Sequence, residues 1–150
     1  MHRCYAAGFC NPMHDTTMTT ATDPRYIAPT ASFFTTLAAI APERLAAVEG
    51  VKPKGVVEVR RAMVGEDILM LHVLREKGLI DPVHQHDDHE TVAYLIRGKL
   101  RLVIGGEEFI AGPGTSWRHP RGVPHFSEAL EDCEQLEIKS PVRKTWVSQD

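Results

Sequence analysis

The chain of 150 residues has no apolar run approaching the ~20 residues a helix needs to cross a bilayer, so a membrane partner is not expected. It also lacks a basic excess. Its 17 Lys and Arg are set against 20 Asp and Glu, for a formal charge of −3, and no stripe of cations gathers in one segment. Nucleic acid, whose phosphates demand such a stripe, is therefore not an expected partner. Cysteine is scarce: Cys4, Cys10 and Cys133 are odd in number, and two of them lie near the N-terminus. That is no disulfide framework. The opening "MHRCYAAGFCNPMH" has one Arg and no apolar centre, so a secretory signal is not expected and a reducing cytoplasm is the expected location.

The length suits one domain with its own core. Residues 1–30 are rich in Thr, Ala and Pro; "HDTTMTTATDP" has no apolar period and reads as a disordered or loosely packed extension. Within residues 31–50, Phe33, Phe34, Leu37, Ile40, Leu45 and Val48 recur near helical spacing, which predicts a helical lead-in. Pro42 interrupts the pattern, so two short helices are expected, with Pro42 in the first turn of the second and Gly50 as its stop. From residue 51 the texture changes. "VVEVRRAMV", "DILMLHVLRE", "TVAYLIRGKLRLVIGG", "EEFIAG", "TSWRHP" and "EQLEIKSP" are short β-forming segments separated by turn signals. Gly105-Gly106 between "LRLVI" and "EEFI" predicts a hairpin. With no second helical region, residues 51–150 are expected to form an all-β sandwich or barrel.

Chemistry concentrates in "DPVHQHDDHETVAYLIRG", residues 81–98. His84 and His86 are one residue apart, and in a strand such positions share a face. Two imidazoles on one face make half a metal site. The segment "GPGTSWRHPRGVPHFSEA" returns His125 after a Pro-rich turn as a third imidazole. Trp117, His119 and His72 read as barrel core, and Cys133 as a small buried or edge residue.

These two segments resemble the paired signatures of the cupin superfamily. The first reads Gly78, five residues, His84-x-His86, a short gap, a carboxylate, then Gly98; the second reads Gly114, five residues, Pro120-x-Gly122, two residues, His125. The resemblance covers Val56 to Lys144. It implies a small double-stranded β-helix, or jelly-roll barrel, with the short helical segment as an N-terminal addition. It also implies one divalent transition metal inside, held by His84, His86, His125 and a residue shortly after the first pair. Counting forward from His86 gives Glu90 as that residue, while counting back from Gly98 gives Thr91. A carboxylate ligates a divalent cation better than a hydroxyl, which favours Glu90, though a slip of one residue reverses the face. Asp87, Asp88 and His89 then fall on the loop rim. Fe, Mn, Ni, Cu and Zn all suit such a donor set.

A narrower resemblance is to a branch of small bacterial cupins that includes pectin- and alginate-pathway proteins acting on unsaturated uronates. In that branch the strand before an "SP"-like ending carries a carboxylate facing the metal, and Glu137 of "CEQLEIKSP" occupies its place. The branch implies a general acid/base role for Glu137 and carries an Arg near the mouth that Arg143 matches; where the branch has an aromatic this chain has Lys139, which, like Arg143, is suited to pair with Glu137 or bind a substrate carboxylate. Gln135, Glu137 and Lys139 share one parity of the strand, so the plain alternative is a polar face in water. The expected function is a small metal-dependent enzyme of isomerase or lyase type acting on a small anionic sugar acid or hydroxy- or keto-carboxylate, with a homodimer as its expected assembly. An Fe(II) dioxygenase and a non-enzymatic ligand-binding or sensor protein are the alternatives.

Overall fold

Gly105 and Gly106 close a two-residue hairpin between two strands. Their φ values of 59° and 86° both lie in the left-handed region, which two-residue turns with the twist of β-strands require and which glycine adopts without penalty. The computed structural model describes residues 23–149. Within them lie a 3-10 turn at Leu37–Ala39 and strands β1 (Glu43–Val48), β2 (Val57–Val64), β3 (Leu69–Arg75), β4 (Ile80–His84), β5 (Glu90–Arg97), β6 (Leu100–Ile104), β7 (Glu107–Ala111), β8 (Ser116–His119), β9 (His125–Ala129), β10 (Cys133–Ser140) and β11 (Trp146–Ser148). Among the described residues the strands form two antiparallel sheets, ordered β11-β1-β2-β3-β10-β5-β8 and β4-β9-β6-β7. This is the all-β architecture expected from the strand pattern, in the jelly-roll form that the resemblance implies.

Period-two alternation sorts the side chains. On β3, Leu69, Leu71 and Val73 are buried; on β6, Leu100 and Leu102; on β5, Thr91, Ala93 and Leu95. The alternate residues of β5, Val92, Tyr94 and Ile96, are exposed on the outer face. On β10, Gln135, Glu137 and Lys139 pair with Leu95, Ala93 and Thr91, so this polar row faces the interior. The "polar side in water" alternative for this strand is thereby removed.

The helical lead-in is not what the structure contains. Residues 43–48 form a strand that pairs with β2 and β11, and only Leu37–Ala39 makes a short 3-10 turn. Leu45 is buried and Val48 packs on the core, on a strand whose register shifts between Leu45 and Ala47. Ladder pairing on both sides outweighs the modest helix preference of Glu, Leu and Ala. The extension also ends earlier than expected, in that residues 25–30 are already fastened. Lys144 N–H donates to the Arg25 carbonyl at 2.8 Å, Thr30 N–H donates to the Val64 carbonyl at 2.9 Å, and Ile27 enters the core. Cys4, Cys10 and the rest of the expected loose extension through residue 22 lie outside the described residues. Cys133 is buried, as expected of a small core residue, and burial pushes its thiol up.

Gly98, where the chain passes from β5 to β6, is the tightest glycine among the described residues. Its φ is 93°, and a Cβ there would collide with the Asp132 carbonyl and approach Cys133 Cα at 2.8 Å. Both obstacles are held by the start of β10. Gly98→Ala is therefore expected to cost about 3 kcal/mol or more, read from the urea midpoint. A loss of only tenths would show that the crossing is not tight.

Candidate metal centre

The barrel interior brings three histidines together by register. His84 ends β4 and His125 begins β9, and the two are direct cross-strand partners with ring centroids 4.4 Å apart. His86 follows two residues after His84 and keeps its face, 5.2 Å from His84 and 5.0 Å from His125. One ligand nitrogen from each lies within 4.8 Å of the other two. All three are buried.

Their second nitrogens are anchored. His84 Nδ1 donates to the Pro82 carbonyl at 2.8 Å and His125 Nδ1 to the Val123 carbonyl at 3.0 Å. A carbonyl only accepts, so each proton sits on Nδ1 and each Nε2 keeps its lone pair. His86 Nδ1 lies 3.0 Å from Glu49 Oε1, the carboxylate–imidazole pairing that orients metal-binding histidines. Burial disfavours the protonated form of His86 and His125. His125 is pushed down to about 4, against the opposing bond to Val123, and burial with the Lys139 ammonium carries His86 lower still. Neutral imidazole is the form that ligates. The donor set fits a divalent transition ion such as Fe, Mn, Ni, Cu or Zn.

A pH dependence follows for the chelator-treated protein. His125 and His89 are each held near 4 in the fold against 6.5 in the free chain. Between those values the unfolded state binds more protons, so stability falls as pH drops from about 6.5 to 4. Urea midpoints measured across that range in excess chelator should decline, and a flat profile would contradict the burial of neutral imidazoles.

The structure revises the fourth position. Glu90 is exposed at the outer start of β5, whereas Thr91 is almost wholly buried and pairs with Lys139. Glu90 thus points away from the histidines, because strand parity, not ligand chemistry, decides the face. His89 is likewise not on the rim. It is fully buried beside His86, with ring centroids 4.3 Å apart and Nδ1 2.9 Å from Asp88 Oδ1. Asp87 is exposed, as expected. Asp88 is turned into a clamp, with Arg25 at 3.2 Å and Arg143 at 3.3 Å. Arg143 is accordingly committed to Asp88 instead of standing free at the mouth.

Two contributors escaped the sequence reading. Glu49 sat in an expected helix end. It adopts φ 47°, a left-handed conformation that ordinary side chains avoid, and from there its carboxylate meets both His86 and Arg25 (2.9 Å). Nothing in "AAVEGV" signals this. Arg75 was legible in principle, since it continues the buried parity of Leu69, Leu71 and Val73. It lies buried against Ser127, 3.5 Å from Glu137 and 3.8 Å from Asp81.

Glu137 and Lys139 line the same interior as the three histidines, around a cavity of about 50 Å³. Glu137 Oε1 accepts from Gln135 Nε2 at 2.7 Å, and Lys139 Nζ is 3.8 Å from Oε2. Burial alone would raise the carboxyl, but Lys139 and Arg75 outweigh it and hold Glu137 below the usual carboxylate range. Burial brings the Lys139 ammonium down, opposed by Glu137. His119 also lines the cavity, stacked on His125 at 3.8 Å. His72 Nε2 lies 2.7 Å from Glu134 Oε1, while its Nδ1 is buried without a partner, so it is only half satisfied. Among the described residues no helix is long and apolar enough to cross a membrane.

Comparison with known proteins agrees with this geometry. The Cupin_2 family model, described as a cupin domain, matches residues 70–138. The pectin degradation protein KdgF of Dickeya dadantii is 33% identical over 71 residues, 47% of this chain and 64% of that protein. Oxalate decarboxylase OxdC of Bacillus subtilis is 35% identical over 81 residues, 51% of this chain and 21% of that protein. The aligned region thus spans less than two thirds of either relative. The crystal structure of an RmlC-like cupin from Shewanella frigidimarina superposes with a TM-score of 0.68 at 18% identity, covering 79% of this chain and 97% of that one, a likeness of fold alone. Barrel topology, the two histidine segments and these matches converge on a cupin-like barrel, with residues 70–138 matching the Cupin_2 domain model.

Proposed function

We propose that the protein is a metal-dependent enzyme of isomerase or lyase type that moves a proton on a small anionic sugar acid or related hydroxy- or keto-carboxylate. The observation that carries this reading is the placement of Glu137. A buried carboxylate, fixed by Gln135 and Arg75, shares one narrow interior with three convergent imidazoles. Unlike a packing residue, it is ionised, oriented and able to take a proton.

His84, His86 and His125 would hold the metal. When bound, the ion supplies Lewis-acid polarisation of a substrate hydroxyl or carbonyl oxygen. Glu137 accepts the proton released at that group and returns it to the product. Lys139, 3.8 Å from Glu137 Oε2, stabilises the carboxylate between transfers. Lys139 and Arg75 also make the interior attractive to a substrate carboxylate. The cavity is small, so only the reacting end of a sugar acid reaches the histidines. Similarity to a pectin degradation protein supports an unsaturated uronate as the substrate, and similarity to oxalate decarboxylase supports a carboxylate in general.

The test is conversion of an unsaturated uronate by the metal-loaded protein, followed by loss of its ultraviolet absorbance. Turnover that His84→Ala abolishes supports the reading. Absence of turnover across unsaturated uronates and small hydroxy- and keto-acids would sink it.

A further inference from the structure

The cavity beside the three histidines has two unlike walls. Strands β4, β9 and β10 supply Asp81, His84, His125, Glu137 and Lys139. Strands β1, β2, β3 and β11 supply Leu45, Val57, Val59, Leu71, Val73 and Trp146, all buried. Register fixes where the walls meet. Leu71 is the direct cross-strand partner of Glu137, and Val73 lies between Gln135 on one side and Val59 on the other. Aliphatic surface therefore begins one strand away from the carboxylate that takes the proton.

The apolar wall offers a ligand almost no hydrogen bonds. Trp146 brings one donor, but its Nε1 already donates to Glu43 Oε2 at 3.1 Å, so the indole meets the cavity as apolar surface. Among the described residues that line the cavity, Thr145 carries the one hydroxyl and there is no side-chain amide. Unmet polar atoms gather at the other wall. Arg75 is only 8% exposed, yet its Nε has no partner, and Asp81 Oδ1 and His119 Nε2 are likewise buried and unpaired. Such atoms are costly, and a polar ligand group beside them removes that cost. The room is narrow: about 50 Å³ admits a short chain of roughly four or five atoms, not a sugar ring.

We propose that, within the class of small acids named above, the substrate is a short carboxylic acid with an oxo or hydroxyl group beside the carboxylate and an unsubstituted alkyl tail, and not a polyhydroxylated sugar acid. The inference rests on the reading of the histidines and Glu137 as the reacting centre. The head group lies among the histidines, Arg75 and Lys139, where cations and donors meet it. The tail lies on Val59, Leu71 and Val73. A sugar acid of the same length would press hydroxyls against that wall, and each would lose its water without gaining a partner.

Isothermal titration calorimetry of the metal-loaded full chain compares pyruvate, α-ketobutyrate and α-ketovalerate, and then α-ketovalerate with its γ,δ-dihydroxy counterpart. Affinity should rise about 4-fold with each methylene, the gain of burying one CH₂. The dihydroxylated acid should bind at least ~10-fold more weakly than α-ketovalerate. Val73→Thr keeps the volume and adds a hydroxyl to the wall, so it should shrink the advantage of the alkyl tail and leave pyruvate affinity unchanged. The wild-type series carries the test by itself if that variant does not fold. Equal affinity along the series, or a dihydroxylated acid that binds as tightly as α-ketovalerate, would overturn the proposal while leaving the metal-dependent acid/base reading in place. A wild type that binds none of the four acids would overturn both.

Discussion

Glu137→Gln should lower turnover by about 10²- to 10⁴-fold while leaving metal content unchanged. The substitution keeps the shape of the side chain and removes its basicity. Glu137 Oε1 receives Gln135 Nε2 at 2.7 Å and Arg75 at 3.5 Å, and Oε2 faces Lys139 at 3.8 Å. The glutamine can keep the acceptor half of this arrangement, so the barrel should stay folded. None of the convergent nitrogens of His84, His86 and His125 belongs to Glu137, so the metal should stay bound. A loss of kcat with unchanged stoichiometry therefore isolates proton transfer. Wild-type kcat in the variant would leave Glu137 only a structural role. Loss of metal instead would show that the carboxylate reaches the ion.

Arg75→Met should destabilise the fold by about 3–5 kcal/mol, the usual cost of removing one partner from a buried ionic network. Arg75 sits inside the barrel beside Ser127, Asp81 and Glu137. Its removal leaves two carboxylates with Lys139 as the remaining interior cation near Glu137. A methionine fills the volume, so the loss is electrostatic in origin and not a cavity. Arg75→Lys should recover part of it, since an ammonium restores charge without the planar fork. Urea unfolding of the three proteins checks this, and a loss below about 1 kcal/mol for Arg75→Met would show that the network carries little weight.

Much of the barrel is legible from residue order because its strands obey a period of two and its turns carry glycine. The Gly105-Gly106 hairpin and the burial of His84, His86 and His125 need little beyond parity. β1 was hidden because Leu37, Ile40, Leu45 and Val48 satisfy a helical spacing by coincidence, and its identity as a strand comes from β2 and β11, one of them about a hundred residues away. Glu90 and Thr91 differ by one residue of register. Ligand chemistry argued for Glu90, yet the count back from Gly98 identified the inward residue. His89 was read as exposed because its loop is polar. Its burial depends on Asp88 being clamped by Arg25 and Arg143, which are remote in sequence and adjacent only in the fold. Glu49 is hidden for the same reason: a backbone conformation near the start of the barrel aims it at His86.

The central claim is that the barrel holds a metal through these histidines. Elemental analysis of the purified chain beside His84→Ala tests it most directly. A stoichiometric divalent transition metal in the wild type, absent from a His84→Ala protein with unchanged circular dichroism, is the predicted result. A wild type free of transition metal after growth and purification in metal-replete medium, or a His84→Ala protein that retains the ion, would contradict it.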